Sequence, residues 1–103
     1  MNDLIIYGSL TSPYIRLIRI ADGGIVAAAN WSVSQSTTWG NSDIALTKND
    51  LIGGFPVSLS RDLPPGDYDL LVYDNATPAD TDTVQKRYVI QWTGTQLMGF
   101  PIS

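Results

Sequence analysis

The sequence predicts an all-β domain, a β-sandwich of seven or eight short antiparallel strands. Three observations carry this prediction. Apolar and polar residues alternate with a period of two in several windows, which is the pattern of half-buried strands. All ten acidic residues are Asp, which favours turns over helix interiors, and nine Gly and six Pro supply further turns. No window shows the 3.6-residue period of a helix, and 103 residues make one domain, spanning 1–103.

The run Tyr14–Ile20 departs from simple alternation, because its apolar residues occupy both parities. A bulge near Leu17–Ile18 would let both apolar sets face inward and would turn Arg16 and Arg19 outward. Alternatively, the strand is buried on both of its faces. We prefer the bulge, because both arginines then point away from the core.

Seven further strands are predicted. Ile25–Ser34 alternates most clearly and places Trp31 in its apolar set, whereas Pro56 marks an edge or a bulge because proline cannot donate to a ladder. The turns Asp22-Gly23-Gly24 and Thr93-Gly94 are typical of tight hairpins. The predicted strands are Leu4–Tyr7, Ile25–Ser34, Ile44–Leu46, Phe55–Ser60, Tyr68–Val72, Tyr88–Trp92 and Gln96–Phe100.

A proline-rich turn leads directly into the strand that begins at Tyr68. Immunoglobulin-like sandwiches often carry a tyrosine at such a corner, and its hydroxyl bonds a backbone group a few residues upstream. Tyr68 fits that structural corner, and Trp31 lies earlier in the chain, where such a sandwich packs a core tryptophan. The chain has no cysteine, so the sequence predicts an immunoglobulin-like β-sandwich without a disulfide.

Composition excludes several classes of function. Without cysteine or histidine there is no thiol nucleophile, thiolate metal site or histidine general base. The net charge is −4 and the six basic residues are scattered, so nucleic acid is not an expected partner. No apolar run approaches the roughly 20 residues of a membrane span, and the first ten residues lack the basic start of a secretory signal. We expect synthesis in a cytoplasm, no membrane partner, no cofactor and no enzymatic activity.

Two groups of carboxylates are candidates for chemical sites. Asp67 and Asp69 lie two apart on one strand, a spacing that does not exclude acid–base work on a glycosidic bond. Asp74, Asp80 and Asp82 bracket a loop that offers oxygen ligands to calcium. For both groups the simpler interpretation is preferred: solvated aspartates on an outer sheet face and turn-forming aspartates in a loop.

Four residues are candidates for binding a partner. Trp39 lies among polar residues, where an exposed ring would stack on a sugar or anchor an interface, although we favour a ring that folds back on the core. Leu71, Tyr73 and Val89 fall on the outward parity of adjacent strands, and together they predict an outward apolar patch.

The stretch from Trp39 to Gly94 resembles small β-sandwich modules of tailed-bacteriophage virions, which occur in baseplates, tail fibres and head-decoration proteins. The resemblance lies in turn-and-strand patterns and not in catalytic signatures. The motifs that carry it are Asp43-Ile44-Ala45-Leu46, Gly54-Phe55-Pro56-Val57-Ser58-Leu59, Leu63-Pro64-Pro65-Gly66-Asp67-Tyr68-Asp69-Leu70-Leu71-Val72-Tyr73-Asp74 and Tyr88-Val89-Ile90-Gln91-Trp92-Thr93-Gly94.

The resemblance implies a non-enzymatic structural protein of the virion, either a capsid decoration protein or a head–tail or tail accessory protein. Its partners would be other virion proteins, and it would be present as a symmetric homo-oligomer or in multiple copies. One alternative is a carbohydrate-binding module that attaches to host glycans through Trp39, with Tyr14 or Tyr73. A second alternative is a glycosidase built on Asp67 and Asp69.

Overall fold

The computed structural model describes residues 4–102, and within them the chain forms nine strands and no helix. The all-β prediction is confirmed, with one strand more than the upper number expected. The immunoglobulin-like arrangement stays a prediction. The strands are β1 (Ile5–Ile6), β2 (Pro13–Arg19), β3 (Ile25–Val26), β4 (Val33–Ser34), β5 (Ile44–Ala45), β6 (Phe55–Pro56), β7 (Gly66–Asp74), β8 (Lys86–Trp92) and β9 (Leu97–Ile102).

The strands form two antiparallel sheets. The larger sheet has the order β4-β3-β2-β7-β8-β9. Strand β5 pairs with the same edge of β2 as β3 does, but nearer the start of β2. The smaller sheet consists of β1 and β6. The main core joins residues of both sheets, and its buried members are Leu4, Ile6, Ile15, Leu17, Val26, Phe55, Val57, Leu63, Tyr68, Leu70, Val72, Ile90, Trp92 and Leu97.

Strand β2 runs along β7 in unbroken register from Pro13 opposite Asp74 to Arg19 opposite Tyr68. The predicted bulge is therefore wrong, and the alternative of burial on both faces is correct. Arg16 is buried, with 1% of its surface exposed, and does not point into solvent. Arg16 is buried because loops cover the second face of β2. The alternation of apolar and polar residues along the strand gave no sign of these loops.

The predicted strand Ile25–Ser34 is wrong, because the chain folds there into the hairpin of β3 and β4. Asn30 makes the turn: its side-chain oxygen accepts hydrogen bonds from the amide and the hydroxyl of Ser32, at 3.1 and 2.8 Å. Trp31 adopts a left-handed φ of 61° and packs against the edge of the core. A run of three alanines has little β propensity to oppose this turn.

The turn between β2 and β3 forms at Asp22-Gly23-Gly24 as predicted. Asp22 accepts hydrogen bonds from the Arg19 guanidinium, at 3.0 and 2.6 Å, and from the Gly24 amide, at 3.0 Å. These bonds, the Arg19 bond first, lower the pKa of Asp22 to about 2. Gly23 supplies the positive φ of 72° that this turn requires.

Two side-chain hydrogen bonds fix the turn before β7. The Tyr68 hydroxyl donates to the Pro64 carbonyl oxygen at 2.7 Å, the contact expected of a tyrosine corner. The Trp92 indole N–H donates to the neighbouring carbonyl oxygen of Leu63 at 2.9 Å. Both rings are buried, so both bonds satisfy backbone acceptors at the end of the core.

Candidate functional site

The face of β2 and β7 that points away from the main core carries a second buried cluster. Because paired residues of an antiparallel ladder share a face, Tyr14 lies beside Tyr73 and Arg16 lies beside Leu71. The side chains of Tyr14, Leu71 and Tyr73 are buried. The loops 35–43 and 75–85 supply Trp39 and Val84, which pack on this cluster and keep water from it.

Arg16 lies at the centre of an aromatic cage. Its guanidinium carbon is 4.7 Å from the ring centre of Tyr73, 4.8 Å from that of Trp39 and 5.4 Å from that of Tyr14. The Tyr14 and Tyr73 rings are themselves stacked, with centres 5.0 Å apart and planes 12° from parallel. Nη1 of Arg16 has no hydrogen-bond partner among the described residues. The negative faces of the surrounding rings therefore compensate this part of the charge.

Two carboxylates complete the surroundings of Arg16. Nε donates to Asp43 at 2.7 Å, and Nη2 lies 3.6 Å from an oxygen of Asp80 and 3.3 Å from the carbonyl oxygen of Ala79. Burial pulls the pKa of Arg16 down, but the hydrogen bond and the charge of Asp43 help to reverse this, and the net pKa is raised. One guanidinium thus ties both covering loops to the sheet.

Asp82 also holds the loop 75–85 in place, and we call its hydrogen bonds the Asp82 latch. Its carboxylate accepts hydrogen bonds from the Tyr14 hydroxyl, from the Asn75 side-chain amide at 2.9 Å and from the Ala79 backbone amide at 3.0 Å. These bonds, the Tyr14 bond first, lower the pKa of Asp82. Desolvation, followed by the bond to Asp82, raises the pKa of Tyr14.

The latch predicts an acid-sensitive contribution to stability. Because the pKa of Asp82 is lower in the folded chain, its contribution is complete above the ordinary value of 3.8 and is lost as pH falls through the lowered value. We expect Asp82→Asn to reduce the urea midpoint at pH 7 and the gap to the wild type to close towards pH 2. Asp62→Asn, which removes an exposed carboxylate from another turn, is the control. A gap that stays constant with pH would contradict the latch.

The structure brings together three of the four predicted binding residues, but it buries two of them. Tyr73 is 3% exposed and Leu71 is 7% exposed, so the prediction that they form an outward apolar patch is wrong. They do face away from the main core, but the loops cover them. Trp39 is partly buried over Arg16, with one ring face directed at the guanidinium. Val89 lies on β8, outside this cluster.

A different apolar surface is exposed. Met98, Phe100 and Ile102 alternate along β9 on the outward face of the large sheet, and they are 50%, 45% and 46% exposed. Val89 lies directly opposite Phe100 on β8 and is partly buried. We call these four side chains the β8–β9 face. The alternation of Met98, Phe100 and Ile102 was the signal available in the sequence, but nothing there showed that loops would leave this end of the sheet uncovered.

The carboxylate groups take structural positions. Asp74 accepts hydrogen bonds from the backbone amides of Thr11, at 3.1 and 3.2 Å, and Ser12, at 2.7 Å, and so closes the loop before β2. Within residues 4–102, no cluster of three or more acidic side chains is arranged to hold a metal ion. Asp67 is exposed and Asp69 is partly buried on the outward face of β7.

In the described part of the chain, there is no long apolar helix of the kind that crosses a bilayer.

Comparison with known proteins gives no relative for this chain. No family model, no curated protein and no solved structure matches it.

Proposed function

We propose that the chain is a non-enzymatic structural protein of a tailed-bacteriophage virion, a capsid decoration protein or a head–tail or tail accessory protein, that binds other virion proteins. The observation that carries the proposal is the β8–β9 face. Three large apolar side chains, each about half exposed, lie side by side on an edge strand. Contiguous exposed apolar surface of this kind is typical of protein contact sites.

The edge position strengthens this argument. Among the strands of residues 4–102, β9 has a neighbour on one side only, β8. An open strand edge presents unpaired backbone donors and acceptors, so a partner gains hydrogen bonds as well as apolar contact. Binding through an exposed sheet surface suits a protein that packs against neighbours in a larger particle, as the resemblance to virion modules implies.

The Arg16 cluster has a structural role in this proposal. A carbohydrate-binding module needs ring faces that a sugar can reach, but the rings of Tyr14 and Tyr73 stack on each other and are buried. Trp39 directs a ring face at Arg16. We expect titration with host glycans to leave the intrinsic tryptophan fluorescence unchanged. A saturable shift that Trp39→Ala abolishes would instead support glycan binding.

The proposal is tested on particles. Virions released by the source of this gene are purified on a density gradient, and their proteins are quantified by mass spectrometry. We expect the chain to band with the particles in a fixed ratio to the major capsid or tail protein. Recovery of the chain only outside the particle band would overturn the proposal.

A further inference from the structure

We propose that the open edge of β9, beside the exposed side chains of the β8–β9 face, binds a second copy of this chain, with the two β9 strands paired antiparallel about a two-fold axis at Gly99. The inference rests on the proposed function, because it names the partner of the same edge strand. The paired strands would join two large sheets into one continuous sheet.

The register of β8 and β9 determines which backbone groups face the open edge. The Thr93 amide donates to the Gln96 carbonyl oxygen at 3.0 Å, so this pair is hydrogen-bonded. Hydrogen-bonded and non-hydrogen-bonded pairs alternate along an antiparallel ladder. Leu97, Gly99 and Pro101, which lie opposite Trp92, Ile90 and Tyr88, therefore direct their backbone groups to the open edge.

This edge is complementary to itself when Gly99 lies opposite Gly99 of the second copy. The two glycines exchange two N–H···O bonds, and each Leu97 amide donates to the Pro101 carbonyl oxygen across the axis. Pro101 has no N–H, so the Leu97 carbonyl oxygens receive nothing in return. The register uses all six residues of β9 and forms four backbone hydrogen bonds. The proline limits the strength of the pairing without preventing it.

The side chains agree with the same register. Met98 of each copy lies opposite Phe100 of the other, in a non-hydrogen-bonded pair, where facing side chains approach most closely. The thioether of Met98 and the aromatic ring of Phe100 make a favourable contact at that distance. Strand β9 carries no charged residue, so two copies with a net charge of −4 each meet without like charges at the seam.

The area of the face sets the expected strength. Each half-exposed side chain offers roughly 100 Å² of surface, since a buried aromatic side chain covers about 150–250 Å² in full. Edge pairing brings these side chains together across the seam and leaves their outward sides in solvent. Their complete burial in both copies, several hundred Å², is therefore an upper bound, and it is well below the roughly 1,200–2,000 Å² of a stable interface. We expect a weak, concentration-dependent dimer in solution, which repeated contacts on a particle would reinforce.

Sedimentation velocity over a concentration series measures this association. We expect the wild type to shift from monomer towards dimer, and Phe100→Lys to weaken the dimer by about tenfold or more, because it places a charge opposite Met98. Leu51→Lys is the matched control, because Leu51 is 99% exposed in the segment between β5 and β6 and does not belong to β9. A wild type that stays monomeric up to millimolar concentration would overturn the inference.

Pro101→Ala tests pairing through the strand edge. The substitution adds an N–H that faces the open edge, and in the proposed register it donates to the Leu97 carbonyl oxygen of the second copy. Two such bonds form per dimer, so we expect the dimer to tighten by about tenfold. Unchanged or weaker association would contradict edge pairing and indicate that two faces stack instead.

The register is tested with cysteines, because the chain has none of its own. Gln96 of one copy lies opposite Ile102 of the other, so single variants Gln96→Cys and Ile102→Cys are mixed and oxidised. We expect a disulfide-linked dimer in the mixture and little in either variant alone. Equal cross-linking in the unmixed variants would overturn the Gly99 register.

These outcomes are separable from the proposed function. A chain that bands with virions but does not associate with itself retains the structural role and takes a different virion protein on the β8–β9 face. A chain that dimerises as described but is absent from virions retains the inference about the second copy and loses the virion role.

Discussion

Arg16→Ala is expected to lower the free energy of unfolding by about 3 kcal/mol, the largest effect of any single substitution outside the main core. The side chain is buried, so its removal leaves a cavity between the rings of Tyr14, Trp39 and Tyr73. It also removes the ion pair with Asp43 in one covering loop and the contacts with Ala79 and Asp80 in the other. Equilibrium urea unfolding at pH 7, followed by tryptophan fluorescence, measures the change.

Two companion variants identify the cause. Asp43→Asn keeps the cage filled but weakens the short ion pair, so we expect a loss smaller than that of Arg16→Ala. Arg19→Ala removes a partly exposed arginine from the same strand and is expected to cost clearly less than Arg16→Ala, because exposed ion pairs contribute little to stability. An Arg16→Ala loss no larger than the Arg19→Ala loss would contradict the central position of Arg16.

Tyr68→Phe is expected to lower the free energy of unfolding by about 1–3 kcal/mol, the range for leaving a buried polar group without its partner. The ring is fully buried and its hydroxyl holds the Pro64 carbonyl oxygen, so phenylalanine keeps the packing and removes one hydrogen bond. Burial also raises the pKa of Tyr68, as expected for a phenol that stays neutral while it donates. Urea unfolding again gives the value.

Tyr88→Phe is the matched control for the corner. Tyr88 lies on the neighbouring strand, is partly buried, and makes no hydroxyl hydrogen bond within residues 4–102. We expect its change in unfolding free energy to be close to zero. Equal effects of the two tyrosine substitutions would mean that the Tyr68 bond adds nothing to the stability of the turn.

Much of the fold follows from local pattern. Every second residue of β7 and β8 is apolar through the middle of each strand, and turn residues flank both strands, so their positions were predictable. The corner at Tyr68 was predictable too, because the turn, the tyrosine and the strand are adjacent in sequence. These features depend on interactions within a few residues.

The wrong predictions for Arg16, Leu71 and Tyr73 share one physical cause, which is contact between residues distant in sequence. Arg16 seemed suited to solvent because an isolated arginine is costly to bury. Its partners, Trp39 and Asp43 in one loop and Asp80 in another, are contributed from 23 to 64 residues further along the chain. No periodicity reveals that two polar loops fold over a sheet face. Because the same loops cover Leu71 and Tyr73, the exposed apolar side chains of this sheet face lie on β9 instead.

The hairpin of β3 and β4 shows a different limit. Ile25–Ser34 alternates as a strand should, but Asn30 can bond its own backbone, and a chain with three alanines before it resists the turn weakly. Local turn chemistry prevails over a regular pattern here. The side chain of Trp31 then packs at the margin of the core instead of within it.

Incorporation into particles tests the proposed role most directly. Wild type, Phe100→Lys and Leu51→Lys are expressed in trans during infection, and the copies of each in gradient-purified virions are counted by mass spectrometry. We expect the wild type and Leu51→Lys to be incorporated equally and Phe100→Lys to fall by about tenfold, as for an interface anchor. Absence of the wild-type chain from purified virions, or equal incorporation of Phe100→Lys, would contradict a virion protein that binds through the β8–β9 face.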